Sequence, residues 1–536
     1  MIAALANSAW LATSTPAWFR YLRALQNPEA AQRRLLARLI ARNSSCKYGC
    51  AHGFGGIRTY AEFRASVPIV DYEALAPWIA RIMQGEREVL TVEAVTRLVP
   101  TGGSSGGRKL IPYTASFQRE LNAAISPWMC ELSRAHPSIA GGPAYWSISP
   151  SIPKLSEPAA VPIGFDDDSA YLGGIARRLA ESTFAVPSAL RDIPDAETSR
   201  YVTLLCLLRA RGLRLVSVWH PSFLALMLDT LAGDWEELLY DVENGGCSRA
   251  SSLPRSIVAA VSNRENPQRA RELRDCDPRS IDRIWPQWKV LSCWGDAQAA
   301  LPLAALRARL PGVSIQPKGL LATEVFVTIP FRAAHPLAIT SHFFEFEDSV
   351  GNVHLPHELQ RNEQYSVIVT TGGGLWRYRL GDIVEVDAFV GATPSLRFLG
   401  RGNNTSDLCG EKLTEVFATR AIAEASLACA FESGFTMLAP ERCDSGIWRY
   451  TLFCEGSPPE SLAHVLDKTL RENPHYDWCR RLGQLAPLHC CSLPTGSYAA
   501  FCRVLMDAGQ RLGDIKPRSL SSRLDWRLRF PRIEKA

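Results

Sequence analysis

The segment Thr101–Lys109 has the residue types that bind phosphate. Its nine residues include four glycines, two serines and one threonine, and it ends in the cations Arg108 and Lys109. Glycine lets backbone N–H groups come close to a ligand, hydroxyls donate further hydrogen bonds, and the cations neutralise negative charge. The expected ligand is a polyphosphate. A flexible glycine–serine loop without a ligand is the alternative that composition alone leaves open.

The spacing in this segment differs from the common nucleotide-binding motifs. Gly102 and Gly107 have the separation of the two glycines in a P-loop, but Arg108, Lys109 and Leu110 follow them. The lysine is therefore one place late, and the hydroxyl that binds magnesium in a P-loop is missing. The segment also lacks the Gly-x-Gly-x-x-Gly spacing of a Rossmann fingerprint. These differences indicate a nucleotide enzyme of another kind.

Composition excludes several classes of protein. The chain has 536 residues, of which 46% are hydrophobic and 21% charged, which is typical of a globular protein. A net charge of +5 without any run of Lys or Arg gives no support for a nucleic-acid surface. No apolar stretch approaches the roughly 18–20 residues that span a membrane. No basic segment precedes the apolar N-terminus, so we expect a cytoplasmic protein without a signal peptide.

The cysteines and histidines do not form metal-binding patterns. The 15 cysteines include no Cys-x-x-Cys pair, and the ten histidines include no His-x-x-x-His pair. We therefore expect reduced cysteines and no tightly bound structural metal. The expected oligomeric state is a monomer.

Strands and helices alternate in the first part of the chain. Residues about 10–90 read mainly as helix. Further on, the strands expected at 213–219 and 289–294 are each followed by a helix, at 223–231 and 298–310. This alternation predicts an α/β domain with largely parallel sheets.

The pattern becomes antiparallel and barrel-like from about 337 to 400. Strands at 365–371 and 375–380 enclose the turn Gly372–Gly374, Asp382 ends this hairpin, and a further strand begins at Ile383.

A polar stretch, Arg401–Ser406, is the candidate for a hinge between domains. The predicted fold class is therefore α/β, with parallel sheets and helices plus the β-barrel-like subdomain in a large N-terminal domain over residues 1–402. A small, mobile α+β C-terminal domain is expected over 403–536.

Several stretches, in their order along the chain, resemble one enzyme family. They are Phe63–Glu73 with Ile82–Glu86, the loop at 101–109, Ala322–Glu324, Tyr365–Asp382, and Asn473–Tyr476 with Arg480. Together with the hinge and a late loop lysine, this order resembles the adenylate-forming enzymes, which include acyl-CoA synthetases and luciferases. The finer match is to the auxin-responsive Gretchen Hagen acyl acid amido synthetases, and especially to their bacterial relatives.

The resemblance implies a two-step ligase with ATP at the junction of a large and a small domain. A small carboxylic acid attacks the α-phosphate of ATP, which gives an acyl-AMP and pyrophosphate, with Mg²⁺ as the metal. An amino acid or another amine then attacks the acyl carbon and releases AMP. The separation of these steps suggests that the small domain rotates about residues near 401–406.

The resemblance also assigns the phosphate-binding residues. Thr323, beside Ala322, would bond the α-phosphate, and Glu324 would hold Mg²⁺, which prefers oxygen ligands. The loop would hold the β- and γ-phosphates while pyrophosphate leaves. Its expected contacts come from Thr101, Gly103, Ser104, Ser105, Gly106, Arg108 and Lys109.

Later residues would complete the nucleotide site. Asp382 would accept the ribose hydroxyls, the alternative being an aspartate that caps a turn. Arg401 is a candidate nucleotide contact, with a surface arginine as the alternative. Lys516 would reach the α-phosphate or the substrate carboxylate during adenylation, and Lys412 is the competing lysine. Leu320 replaces a tyrosine that family members often place near adenine, so the adenine would rest on an aliphatic surface or on another ring.

The pocket for the acid is expected among residues about 120–230. An apolar pocket with few polar anchors suits an aryl or an alkyl carboxylate, and the sequence does not distinguish these acids. His220 could meet the carboxylate or cap the following helix. The candidate lining residues are Trp146, Tyr171, Val218, Trp219 and His220.

Two other functions stay open at this point. The adenylate could serve a thiol or an amine other than an amino acid. A degenerate protein could instead bind the acid or the nucleotide without turnover, which Leu320 and a loop one residue shorter than that of the family would suit. The retained Glu324, Asp382 and Lys516 favour an enzyme.

Overall fold

The computed structural model describes most of the chain. Within this part, no helix combines the length and the apolar character that crossing a bilayer requires. The predicted loop contacts Gly103–Gly106 and Arg108 lie outside the described residues, as does Tyr171. The described residues are 2–101, 109–147, 160–164, 174–193, 195–262, 265–296, 299–402, 405–443, 446–507, 510 and 515–531.

The N-terminal region is helical, as predicted. Asn27 caps the second helix by accepting a hydrogen bond from Ala30 N at 3.0 Å, and Thr59 and Glu62 form a capping box at the fourth. The apolar sides of these helices enter a first hydrophobic core, which they share with residues of all three sheets of the N-terminal part. The helices are α1 (Ile2–Gln26), α2 (Pro28–Arg42), α3 (Lys47–Ala51), α4 (Tyr60–Ser66) and α5 (Tyr72–Met83).

A hairpin flanks the glycine-rich segment. Strands β1 (Arg97–Thr101) and β2 (Lys109–Tyr113) pair antiparallel, with Thr101 opposite Lys109. The two ends of the segment are therefore neighbours across the hairpin. Thr114 then caps α6 (Ala115–Ala135) by accepting a hydrogen bond from Phe117 N.

The predicted alternation of strands and helices forms a four-stranded parallel sheet. Its order is β3 (Ala144–Trp146), β4 (Leu215–Ser217), β5 (Val290–Trp294) and β6 (Ser314–Lys318). The helices that accompany these strands are α7 (Gly174–Glu181), α8 (Ala196–Arg209), α9 (Pro221–Gly233), α10 (Trp235–Asn244), α11 (Arg255–Val261), α12 (Pro267–Arg274), α13 (Ile281–Ile284) and α14 (Ala300–Ala308).

The two faces of this sheet belong to different cores, because successive residues of a strand face opposite sides. Val216 and Leu291 lie in a second core with the helices α8 to α14, and Val218 joins them completely buried. Leu215 and Val290 lie on the other face, in the first core.

The antiparallel subdomain is a five-stranded sheet with the order β11-β10-β9-β7-β8. Its strands are β7 (Phe343–Glu347), β8 (Val353–His354), β9 (Gln364–Thr370), β10 (Tyr378–Val390) and β11 (Thr393–Arg401). The predicted end of the hairpin at Asp382 is wrong, because β10 continues through this residue. Gly381 adopts φ +85°, a backbone conformation that favours glycine, at a shift of register with β9 between Arg379 and Ile383.

The turn before β10 is hydrogen-bonded to α6 and to the residue that caps this helix. Glu120 accepts hydrogen bonds from Gly372 N at 3.0 and 2.8 Å, and Thr114 Oγ1 donates to Gly372 O at 2.8 Å. The same carboxylate lies 3.0 Å from Nδ1 of the buried His342. These contacts fix where β10 begins.

The C-terminal part has hydrophobic cores of its own. Leu226 of α9 packs against one of them, which joins this part to the α/β region. The short strands β12 (Thr405–Ser406) and β13 (Leu413–Thr414) pair with each other, and a separate sheet has the order β14-β15-β16. The other elements are α15 (Glu415–Ala428), β14 (Thr436–Arg442), β15 (Trp448–Glu455), α16 (Glu460–Leu470), α17 (Pro474–Arg481), β16 (His489–Leu493), α18 (Ser497–Asp507) and α19 (Trp526–Arg529).

A buried ion pair ties β10 to the N-terminal helices. The Arg377 guanidinium donates to both carboxylate oxygens of Glu345 at 2.8–3.1 Å, and neither side chain is more than 4% exposed. Arg377 also donates to the backbone oxygens of Arg64, in the last turn of α4, and of Val67, directly after this helix. Val70 N donates in turn to Arg377 O, so the chain before α5 runs beside the start of β10.

The substitution Arg377→Ala should destabilise the protein by about 3–5 kcal/mol, because it leaves the Glu345 charge buried without its partner. Arg379→Ala is the matched control, since Arg379 makes the same two-pronged contact with Glu347 near the surface. That substitution should cost no more than about 1 kcal/mol. Denaturant unfolding of both variants measures the difference, and equal costs would show that leaving the Glu345 charge buried without a partner is not costly.

Candidate active site

Lys109 stands between two tyrosines at the start of β2. Its Nζ donates to Tyr378 OH at 3.4 Å and lies 5.7 Å from the centre of the Tyr72 ring. Tyr72 is fixed in turn because its OH accepts a hydrogen bond from Leu110 N at 2.8 Å. The cation that ends the glycine-rich segment is thereby attached to α5 and β10.

Thr323 and Glu324 lie next to this group. Tyr113 OH donates to Thr323 O at 3.3 Å, which connects the end of β2 to the Thr-Glu dipeptide. Glu324 is only 7% exposed. Burial raises the pKa of the Tyr378 phenol, and the negative charge of Glu324 raises it further. The structure thus brings Lys109, Thr323 and Glu324 together around Tyr378.

Asp382 and Arg401 form a cross-strand pair at the end of β11. They are register partners, and Arg401 Nε lies 3.3 Å from Asp382 Oδ1. Burial alone would lower the pKa of the Arg401 guanidinium, but the carboxylates of Asp382, Glu324 and Glu415 outweigh it and raise this pKa. Arg401 is therefore surrounded by carboxylates, unlike an ordinary surface arginine.

Charged residues of the C-terminal part lie next to Asp382 and Arg401. Glu415, the first residue of α15, accepts a hydrogen bond from Ser519 N at 3.2 Å. Burial lowers the pKa of the neighbouring Arg518 guanidinium, against the opposing effect of Glu415. Asp382, Arg401, Glu415 and Arg518 therefore alternate in sign from β10 to the segment that carries Lys516.

The structure distinguishes the two candidate lysines by position. Lys516 Nζ lies 5.0 Å from the centre of the Trp294 ring, at the carboxyl end of β5. Lys412 lies exposed in another loop, with φ +45°, and its backbone oxygen accepts a hydrogen bond from Asn473 Nδ2 at 3.4 Å. Lys516 is thus the one that reaches the parallel sheet.

The predicted acid-pocket residues separate into different environments. Trp219 is half-buried on the first core, and the Trp146 ring packs edge-on against Trp128 at 6.2 Å. Val218 belongs to the second core on the opposite face, so the structure does not bring it to the same site. Its position follows from strand alternation, because neighbours in a strand point to opposite sides.

His220 is a contact between the two parts of the protein. Its ring stacks on Tyr498 of α18 with centres 5.6 Å apart, and Tyr498 OH donates to Ile515 O at 3.4 Å. Burial, and then the charge of Lys516, lower the pKa of the His220 imidazole to about 3. The ring therefore stays neutral beside the lysine segment.

Sequence reasoning missed several residues of this site. Tyr378 lies within the Tyr365–Asp382 stretch but was given no role. Lys318 ends β6 just before Gly319, and a cation at the carboxyl end of a strand could have been noticed. No motif or spacing in the sequence marked Glu415 or Arg518 as part of the site. Leu320 is 2% exposed in the first core, so it offers no aliphatic surface for adenine.

Comparison with known proteins identifies the family. The chain matches the GH3 family N-terminal domain over residues 20–315, the central domain over 335–401 and the C-terminal domain over 416–524. These matches span most of the chain. The chain belongs to the GH3 family, which confirms the resemblance found in the sequence.

Relatives and solved structures agree with this assignment. Indole-3-acetic acid-amido synthetase GH3.8 of Oryza sativa subsp. indica is 26% identical over 430 residues, which are 75% of this chain and 71% of the relative. Probable indole-3-acetic acid-amido synthetase GH3.12 of Oryza sativa subsp. japonica is 25% identical over 580 residues, covering 93% and 92%. The AtGH3.15 acyl acid amido synthetase in complex with 2,4-DB has the same fold, with a TM-score of 0.82 at 19% identity over 94% of both chains. The chain is an acid–amido synthetase, an enzyme that joins a carboxylic acid to an amino acid.

Lowering the pH should weaken this fold through His220. An exposed imidazole takes up a proton near pH 6.5, whereas the buried ring takes it up only near pH 3, so stability falls as the pH drops below about 6.5. Between pH 7.5 and 5.5 the loss due to this group should be about 1.4 kcal/mol.

Denaturant unfolding of wild type and His220→Phe at the two pH values measures this loss. Phenylalanine keeps a ring for Tyr498 but does not titrate, so the variant should lose less stability on acidification. His475→Phe, at an exposed position of α17, should behave as wild type. An identical pH dependence in the His220 variant would exclude the mechanism.

Proposed function

We propose that the chain uses ATP and Mg²⁺ to adenylate a small carboxylic acid and then passes the acyl group to an amino acid. The observation that carries the proposal is the convergence of Lys109, Glu324, Asp382–Arg401 and Lys516 from four segments distant in sequence. Each has the chemistry that one part of an adenylation site needs.

The nucleotide would lie along β10 and β11. Asp382, 2% exposed, has two carboxylate oxygens that can accept hydrogen bonds from the ribose hydroxyls, and the contact with Arg401 holds it in one orientation. Lys109 marks where the glycine-rich segment would hold the β- and γ-phosphates. The α-phosphate would then lie near Thr323, between the ribose at Asp382 and the outer phosphates at Lys109.

Glu324 suits a magnesium ion bound through phosphates. Mg²⁺ in such sites takes one or two carboxylates and completes its coordination with phosphate oxygens and water. The described residues contain no group of three or more metal ligands, which fits this shared mode better than an all-protein site. Bound there, Mg²⁺ would neutralise phosphate charge, and Glu324 is the residue that would hold it.

In the first step an oxygen of the acid attacks the α-phosphorus, and the bond to the bridging oxygen of pyrophosphate breaks. Two anions must approach each other, so a cation between them lowers the repulsion. Lys516 is the cation that the C-terminal part brings to the sheet. Lys109 and the loop would stabilise the charge on the leaving pyrophosphate.

In the second step the amine nitrogen attacks the acyl carbon, a proton leaves the nitrogen, and AMP departs with the electron pair of the broken bond. The acceptor must reach the carbon that Lys516 faces in the first step. A rotation near residues 401–406 would withdraw Lys516 and admit the amine. Lys412 is the lysine that such a rotation would make available.

Product analysis tests the proposal. Purified protein with Mg·ATP receives a panel of aryl and alkyl acids, with and without a pool of amino acids, and AMP, pyrophosphate and amides are measured by mass spectrometry. The proposal predicts AMP formation with an amide product. Adenylate without amide would move the acceptor to another amine or a thiol, and ATP binding without any adenylate would indicate a protein that only binds.

The substitution Lys516→Ala should reduce acid-dependent exchange of pyrophosphate into ATP by about 10²–10³-fold, as loss of one charge-stabilising group typically does. Amide formation from a chemically synthesised acyl-adenylate should survive, because that reaction starts after the first step. Lys412→Ala is the matched control and should keep the exchange. If Lys412→Ala loses the exchange and Lys516→Ala keeps it, Lys412 is the adenylation lysine.

A further inference from the structure

The stretch Phe63–Glu73 belongs to the family resemblance but has no role in the reaction proposed above. It ends in the first turn of α5, where Tyr72 is the first helical residue. Asp71 caps this helix by accepting a hydrogen bond from Ala74 N at 3.3 Å. Tyr72 therefore projects from a fixed point of the backbone, and its half-buried side chain reaches β2.

The hydroxyl of Tyr72 is bonded to β2 directly after Lys109. Strands β1 and β2 form a two-stranded sheet, so one edge of β2 is not covered by β1. Tyr72 OH accepts a hydrogen bond from Leu110 N at 2.8 Å. Leu110 is 8% exposed, and a buried backbone N–H needs such a partner. The hydroxyl thus attaches β2 to α5 at the residue next to Lys109.

The Lys109 side chain is held by the same tyrosine and by a second one. Its Nζ lies 5.7 Å from the centre of the Tyr72 ring and donates to Tyr378 OH at 3.4 Å. A lysine side chain in solvent has many rotamers, and ordering it when a ligand arrives reduces the affinity for that ligand. The two tyrosines order the Lys109 ammonium beforehand.

The two tyrosines hold the ammonium of Lys109 without neutralising it. Burial raises the pKa of the Tyr72 phenol and that of the Tyr378 phenol, so both keep their protons at neutral pH. A carboxylate in the same place would compete with a phosphate for the ammonium. With neutral partners, the full positive charge of Lys109 stays available to an anionic ligand.

The segment that carries Tyr72 is also bonded to β10. Val70 N donates to Arg377 O at 3.1 Å, and Arg379 N donates to Val70 O at 2.8 Å. Strand β10 carries Asp382, the proposed acceptor of the ribose hydroxyls. The segment Val70–Tyr72 therefore fixes β2, with Lys109, relative to β10, with Asp382.

We propose that Tyr72 is a positioning residue that places Lys109 at the outer phosphates of ATP. Tyr72 acts through Leu110 and Lys109 and does not touch the nucleotide itself. AMP has no β- or γ-phosphate, so the Tyr72 hydroxyl contributes to the binding of ATP and not to that of AMP. This inference rests on the proposed function, which takes Lys109 as the cation for those phosphates.

Calorimetric titration with Mg·ATP and with AMP tests the role of the hydroxyl. Tyr72→Phe keeps the ring and removes the bond to Leu110 N. It should weaken binding of ATP by about 3–10-fold, as loss of one hydrogen bond does, and leave binding of AMP unchanged. Equal weakening of both nucleotides, or of neither, would overturn the positioning role.

Tyr365→Phe is the matched control. Tyr365 OH also accepts a backbone hydrogen bond, from Gln360 N at 3.2 Å, and its ring is 5% exposed. That ring lies on β9 and contacts Phe346 and His354. The control variant should therefore keep the wild-type affinity for both nucleotides.

A double-mutant cycle shows whether Tyr72 acts through Lys109. Lys109→Met should weaken binding of ATP, and adding Tyr72→Phe to it should weaken binding no further. A full additional loss in the double variant would overturn the proposed route. Denaturant unfolding shows whether each variant folds, and Tyr72→Leu replaces a Phe variant that does not.

The wild-type protein distinguishes this proposal from the proposed function. Acid-dependent exchange of pyrophosphate into ATP by the wild type, with the same ATP affinity in Tyr72→Phe, would overturn the positioning role and leave the ligase intact. Failure of the wild type to bind ATP would contradict both.

Discussion

The buried ion pair between Arg377 and Glu345 sets the position of β10, the strand on which the proposed nucleotide site depends. Arg377 lies at the start of β10, directly before Tyr378 and five residues before Asp382. Its remaining donors hold the end of α4 and the residue after it, and Glu120 of α6 bonds to the turn that precedes β10. A buried pair of this kind stabilises little by itself, but losing one partner is costly, so the strand is fixed in one place. Lys109 donates a hydrogen bond to Tyr378, so the position of β10 also determines where Lys109 lies.

Opposite charges then connect this fixed strand to the C-terminal part. Asp382, Arg401, Glu415 and Arg518 alternate in sign, and Lys516 lies two residues before the last of them. Such a series is sensitive to what binds within it, because phosphate would compete with the carboxylates for Arg401. In the proposed reaction, the departure of pyrophosphate would change the charge at this point. We propose that these ion pairs hold the C-terminal part for adenylation and release it afterwards.

Much of the fold could be predicted because it depends on local periodicity. The N-terminal helices, the strands β4 and β5, and the hairpin around Gly372–Gly374 all leave clear patterns. The continuation of β10 through Asp382 could not be predicted, since the bulge at Gly381 interrupts the alternation that marks a strand. Lys318 was missed for another reason. Its neighbours Trp219 and Trp294 come from other strands, and only the register of the sheet brings them together. The contact of His220 with Tyr498 depends likewise on how two parts of the chain meet.

A crystal structure with the non-hydrolysable acyl-adenylate analogue 5′-O-[N-(4-hydroxybenzoyl)sulfamoyl]adenosine tests the single adenylation site most directly. The proposed site predicts that the ribose hydroxyls contact Asp382 and that the sulfamoyl group lies between Thr323 and Lys516. An analogue bound elsewhere, or bound without contact to both Asp382 and Lys516, would contradict a single adenylation site at this junction.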